Sequence, residues 1–198
     1  TGDRVGLVMH NGPSYKELLF GCWHAGLTAL PINAKLHSRE FSYILEHSGC
    51  RACFVSKTLE SAVATAAATC ENMVEIITCP SQVYDRILKT SPSTLANTEP
   101  NSNAWLFYTS GTTGRPKGVP LTPANILACL AGGEPLMDHV EPDDITVSFL
   151  PMAHVGEHVP GFFGRINIGM RTAFATNYET LLDELMEIRP TYFGAVPR

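Results

Sequence analysis

The segment Tyr108-Thr109-Ser110-Gly111-Thr112-Thr113-Gly114-Arg115-Pro116-Lys117-Gly118 concentrates hydrogen-bond donors. It holds four Ser or Thr hydroxyls, three glycines and two cations within eleven positions. Glycines let the backbone turn so that successive N–H groups face one point, which makes a nest for an anion. The hydroxyls add short donors, and Arg115 and Lys117 add positive charge. The ligand this suits is a polyphosphate. The spacing is not that of a Walker A loop, which needs Lys and then Ser or Thr directly after its last Gly. Here Arg115 and Pro116 intervene, and Gly118 follows the lysine. No G-x-G-x-x-G dinucleotide fingerprint occurs either. A polar loop without a ligand is the plain alternative.

His154-Val155-Gly156-Glu157-His158 matches the H-x-x-E-H spacing of some zinc hydrolases. That pattern needs a regular helix to aim both histidines at one metal. Gly156 lies in its middle and Pro160-Gly161 follows, so a long helix is unfavourable. His154 could instead meet a substrate, or simply pack or cap. Glu157 and His158 could line a substrate channel, or lie on a solvated face. Cys50 and Cys53 form a C-x-x-C, but no second pair follows at zinc-site spacing. Cys53 falls in an apolar run that reads as a strand, where its side chain would pack inward rather than do redox chemistry, and most of the six cysteines sit in such runs, as buried free thiols of a reducing compartment would.

Strand and helix signals alternate around these residues. Strands are expected at Val5–Met9, Leu27–Ile32, Arg51–Val55, Met73–Thr78, Ala104–Thr109, Ile145–Leu150, Arg171–Phe174 and Thr191–Phe193. Helices are expected from Ser14 to before Gly26, from an N-cap at Ser38 to His47, and over Thr58–Thr69. Another should start at Pro123 with Thr122 as cap, and a last one should be capped by Asn177 and carry Leu181, Leu182, Leu185 and Met186. Strands separated by helices imply βαβ units, mostly parallel pairing and an α/β fold. Residues 90–103 are rich in Ser, Thr, Asn and Pro without periodicity, as in a linker or surface loop. The expected division is an N-terminal α/β lobe at 1–89, that loop, and a phosphate-loop lobe at 104–198.

Composition narrows the function classes. The 198 residues are 44% hydrophobic and 17% charged, too apolar for a disordered chain. The formal net charge is −5, and the cations are scattered, which argues against nucleic acid as a partner. No apolar run reaches the 18 residues a membrane span needs. Thr1-Gly2-Asp3-Arg4 has neither an initiator Met nor a signal-peptide pattern, and reads as the middle of a longer chain.

Residues Tyr108 to Gly118 closely resemble the phosphate-binding signature of the adenylate-forming enzymes: acyl-CoA synthetases, luciferases and peptide-synthetase adenylation domains. Gly2-Asp3-Arg4-Val5 to Pro31-Ile32-Asn33 resembles that family's first N-terminal block. Ser148-Phe149-Leu150-Pro151-Met152-Ala153-His154 resembles its Leu-Pro-x-x-His block. Arg189-Pro190-Thr191 to Val196-Pro197-Arg198 resembles the segment leading into the acyl pocket. The resemblance implies the large N-terminal domain of these enzymes in incomplete form, with the C-terminal lid absent. It implies ATP-dependent activation of a carboxylic acid, most like a fatty acid, to acyl-AMP and then acyl-CoA, using ATP, Mg2+ and coenzyme A. Thr109, Ser110, Gly111, Thr112, Thr113, Gly114, Arg115, Lys117 and Gly118 would hold the nucleotide's phosphates. His154 would be catalytic and near the acyl carboxylate and thiol entrance, with Glu157, His158, Gly194, Val196 and Pro197 as further substrate contacts. Pro123 departs from the family's usual His, and Pro120 is unusual there. The partners implied are small molecules, and the setting is cytoplasmic, with a peripheral place at a membrane left open. Residues 1–198 alone are expected to form no acyl adenylate. The alternative is a non-catalytic nucleotide- or partner-binding module of the same fold.

Overall fold

The computed structural model describes residues 2–109, 114–133 and 139–195. It resolves into two units, Thr1–Pro123 and Ala124–Arg198. The first is built on strands β1 (Arg4–Val8), β2 (Thr28–Pro31), β3 (Ala52–Ser56), β4 (Glu75–Cys79), β5 (Trp105–Thr109) and β6 (Lys117–Leu121), ordered β4-β3-β1-β2-β5-β6. The pairings from β4 to β5 are parallel, and β6 runs antiparallel along the edge. The crossovers are α1 (Pro13–His24), α2 (Ser38–Ser48), α3 (Glu60–Ala67) and α4 (Gln82–Leu88). The mostly parallel α/β class expected from the alternation is therefore present.

β1 and β2 are buried almost throughout, as parallel strands covered on both faces must be. On one face Phe41, Ile44 and Leu45 of α2 and Val63, Ala66 and Ala67 of α3 join Val8, Leu30, Cys53 and Val55 in a continuous core. Gly6 allows this close approach: a Cβ there would stand 3.0 Å from the Cys53 Sγ and 3.3 Å from the Cys50 Sγ. Tyr15, Leu18, Leu19 and Cys22 of α1 are buried outside that core.

Several local expectations shift. Gly26 and Gly49 do terminate α1 and α2, with φ of 68° and 62°, where glycine alone is unstrained. The N-cap of α2, however, is His37, not Ser38. Its N–H donates to the Glu40 carboxylate at 2.9 Å, so the sequence reads one residue late because Glu40 supplies the reciprocal bond. Helix α4 and strand β6 carry no clear periodic signal. Ser81 caps α4 by accepting the Tyr84 N–H at 3.1 Å. β6 contains Gly118 and Pro120, and proline is tolerated because β6 is an edge strand.

The second unit holds α5 (Pro123–Gly133), the parallel pair β7 (Ile145–Ser148) and β8 (Arg171–Phe174), α6 (Gly164–Ile168) and α7 (Leu181–Ile188). Helix α5 starts at Pro123 as expected. Asn177 is not the cap of α7. Its Oδ1 accepts from Glu179 N, Thr180 N and Thr180 Oγ1 in the preceding turn, and Thr180 takes the cap position. The expected strand at 191–193 does not form. Thr191 answers the Ile145 N–H with its hydroxyl rather than its carbonyl, at 2.9 Å, which diverts the ladder. β5 and β6 hydrogen-bond into the sheet of the first unit, which runs to Pro123. Residues 90–103 are a surface loop pinned to that unit: Ala96 N–H donates to the His24 carbonyl, and Thr28 Oγ1 to the Asn103 carbonyl, both at 2.9 Å. No helix among the described residues is long and apolar enough to cross a membrane.

Candidate functional site

The glycine-rich segment is the connection of the β5–β6 hairpin. β5 begins with buried Trp105 and ends with exposed Thr109, so the strand carries the chain from the core to the surface. Thr109 pairs with Lys117, and Tyr108 with Gly118, which sets a narrow neck at the base of the loop. Ser110, Gly111, Thr112 and Thr113 lie outside the described residues. Gly114 follows with φ +99°, a conformation that excludes most side chains. Arg115 and Lys117 are exposed. Gly118 lies against the hairpin: a Cβ there would meet Leu106 Cδ1 at 3.2 Å and Tyr108 Cζ at 3.4 Å.

Two residues the sequence reading missed meet this hairpin. The Tyr43 hydroxyl donates to the Pro116 carbonyl at 3.1 Å. The His47 Nδ1 lies 2.7 Å from the Tyr108 hydroxyl. Burial pushes the Tyr108 phenol up to about 12, so it stays protonated and donates to that nitrogen. Their only sequence signal is a spacing of four residues on α2, which puts both on one face.

In the second unit, the expectation that Gly156 and Pro160 exclude a long helix is corrected. Residues 155–168 are helical, with a π-helical stretch at Glu157–Phe163 running into α6. The wider turn accommodates a proline, which has no N–H to donate. His154 starts the segment as a cap. Its Nδ1 accepts the Gly156 N–H at 3.1 Å, and its carbonyl accepts from Glu157 N and His158 N. The rest of the His154 side chain is exposed.

Glu157 and His158 are not on a solvated face. Glu157 is 2% exposed and His158 0%. The Glu157 Oε1 accepts from Arg165 Nη1 and from the Ser148 hydroxyl, each at 2.7 Å, forming a buried ion pair across two helical turns. Gly161 leaves room for this carboxylate, since a Cβ would stand 3.2 Å from its Cδ. His158 Nδ1–H donates to the Met152 carbonyl at 3.0 Å, and burial depresses the imidazole to about 4, so it is neutral at physiological pH. In that zinc motif the two histidines are the ligands; here His154 Nδ1 accepts the Gly156 N–H and His158 is buried with its Nδ1 on the Met152 carbonyl. Among the described residues no group of three His, Cys, Asp or Glu side chains is arranged to hold a metal ion. Gly194 is exposed beyond Phe193, which stacks on Phe149 at 5.1 Å, while Val196 and Pro197 lie outside the described residues. Cys50 and Cys53 are fully buried, and burial raises both thiols, Cys50 to about 12.

The model of the AMP-binding enzyme family matches residues 1–198. The chain belongs to the AMP-binding enzyme family. It is 28% identical over 219 residues to long chain acyl-CoA synthetase 7, peroxisomal, from Arabidopsis thaliana, covering 100% of this chain and 31% of that protein. Among solved structures it is similar to the inhibitor-bound N-terminal domain of FACL13 from Mycobacterium tuberculosis. The TM-score there is 0.88 at 27% identity, over 100% of this chain and 50% of that one. A fatty acyl CoA synthetase from Mycobacterium tuberculosis gives a TM-score of 0.87 at 26% identity, with 39% of its chain covered. This AMP-binding enzyme chain thus spans about a third of the length of the curated relative and half of the solved N-terminal domain.

Proposed function

We propose that the chain is the phosphate-loop part of an ATP-dependent acid-thiol ligase that converts a fatty acid to acyl-AMP and then to acyl-CoA. The observation that carries this is the hairpin neck, where Thr109 and Lys117 face each other at the base of a loop of glycines and hydroxyls. The acyl-CoA synthetase names of the relatives support the choice of acid and thiol.

In the first half-reaction a carboxylate oxygen bonds to the α-phosphorus of ATP, and the bond to the β-phosphate oxygen breaks to release pyrophosphate. Both reactants are anionic, so the difficulty is electrostatic, and fixed donors aimed at the phosphates lower the barrier. Thr109, Ser110, Gly111, Thr112, Thr113, Gly114, Lys117 and Gly118 would hold the β- and γ-phosphates that leave. In the second half-reaction the coenzyme A sulfur attacks the acyl carbonyl and AMP departs. Mg2+ accompanies ATP in this reading.

His154 is the residue we place at the acyl carboxylate and thiol entrance. Because its Nδ1 accepts the Gly156 N–H, the Nε2 side of the exposed ring is the side left to meet substrate. Glu157 and His158 then support His154 from within the fold rather than touch substrate. Gly194, Val196 and Pro197 belong to the acyl side of the same proposal. The buried free thiols support a reducing, cytoplasmic setting.

The test is acid-dependent ATP–pyrophosphate exchange in the full-length protein. Lys117→Ala and Thr112→Ala should each lower it about thirtyfold, the equivalent of one charged contact of about 2 kcal/mol. Wild-type exchange in both variants would overturn the assignment and favour a non-catalytic module.

A further inference from the structure

Helix α2 meets both stems of the phosphate loop through two side chains one turn apart. On the incoming stem, His47 Nδ1 receives the Tyr108 hydroxyl at 2.7 Å, with the rings edge to face at 5.8 Å. On the outgoing stem, the Tyr43 hydroxyl donates to the Pro116 carbonyl at 3.1 Å, and the Arg115 guanidinium sits over the Tyr43 ring, 5.7 Å from its centroid. Tyr43 and His47 stack on each other at 5.2 Å with 27° between the rings, so each grip braces the other.

The helix beneath them is well fixed. Phe41, Ile44 and Leu45 anchor it in the core. Glu40 caps its start and Gly49 closes its end. We propose that Tyr43 and His47 are positioning residues that clamp the two stems of the loop at a set separation, with Arg115 part of the clamp rather than a phosphate ligand. Fixing the stems in advance lowers the entropy cost of converging the loop's donors on an anion. The guanidinium of Arg115 is held on an aromatic face, a favourable place for a delocalised cation. The consequence for catalysis rests on the phosphate-loop function proposed above; the clamp itself rests on contacts within the first unit.

Two measurements on the full-length protein separate those dependencies. Hydrogen–deuterium exchange reads the clamp directly. Tyr43→Ala and His47→Ala should each speed exchange across residues 108–118 about tenfold while β1 stays protected. His47→Asn, which places an amide oxygen where Nδ1 sits, should recover most of the protection. The kinetic readout is the KM for MgATP in ATP–pyrophosphate exchange, expected to rise about tenfold in both alanine variants. Transfer of the acyl group from preformed acyl-AMP to coenzyme A should stay within about twofold, since pyrophosphate has already left. Unchanged exchange at 108–118, or an equal fall in both half-reactions, would overturn the clamp. If Lys117→Ala leaves ATP–pyrophosphate exchange at the wild-type rate, the phosphate-loop function fails instead, and the amide-exchange result still judges the clamp.

Discussion

His158 makes the stability of the second unit depend on pH in a way that can be worked out in advance. The imidazole is fully buried, and burial holds it near 4, against about 6.5 for the free side chain. The hydrogen bond to the Met152 carbonyl opposes this, but burial dominates. Between those values the unfolded chain binds a proton at this position and the folded chain does not. The unfolded state is therefore favoured as pH falls. Above about pH 7 the effect vanishes. It grows as the pH falls through about 6 and saturates at about 3 kcal/mol below pH 4. The assay is urea unfolding across this range for wild type and His158→Asn. Asn keeps a donor for the Met152 carbonyl and has no charge to gain. The variant's lost packing lowers stability equally at every pH, so only the pH dependence of the difference is informative. The wild type should lose about 2–3 kcal/mol relative to the variant between pH 7.5 and 4.5. A difference that stays flat, or a His158 ring resonance titrating near 6.5, would refute the argument.

Two further perturbations test the buried groups. Arg165→Met should destabilise the fold by about 3–5 kcal/mol in chemical denaturation, because Glu157 is then left buried with only the Ser148 hydroxyl. The double variant Glu157→Gln/Arg165→Met should recover much of that, and a single variant as stable as wild type would show that the pair is not held as described. Native thiol labelling with peptide mapping should find Cys129 modified quickly and Cys22, Cys50 and Cys53 slowly, because burial raises those three thiols and keeps them protonated. Fast labelling of Cys50 or Cys53 in the folded protein would reopen a redox role for the C-x-x-C.

Much of the first unit is legible in the sequence because its signals are local and mutually consistent. β1, β2 and β3 are short β-rich runs, α1 and α2 carry apolar residues at helical spacing, and Gly26 and Gly49 stop them. β6 is not legible for a physical reason. An edge strand needs only one partner, so Gly118 and Pro120 survive in it, and the same residues read as loop. The tie of residues 104–121 to the strands before residue 90 is hidden as well, because it is the long-range pairing of β5 with β2, which no local signal carries.

The candidate site divides along a similar line. The phosphate loop is visible because its chemistry is carried by neighbouring residues in one stretch. The environment of His154, Glu157 and His158 is not, because a motif gives spacing but not burial. In H-x-x-E-H the residue types are the same whether the glutamate faces water, a metal or an arginine; what decides is Arg165, eight positions on, and Ser148, nine positions back. Tyr43 and His47 are hidden further still, more than sixty residues from the loop they touch. Their spacing marks a shared helix face, but only the strand order, which puts β5 and β6 beyond β2 on the same sheet, brings that face to the hairpin. A loop rich in donors is thus necessary for the proposed chemistry and insufficient to organise it. The organising contacts come from a helix whose own sequence reads as ordinary packing.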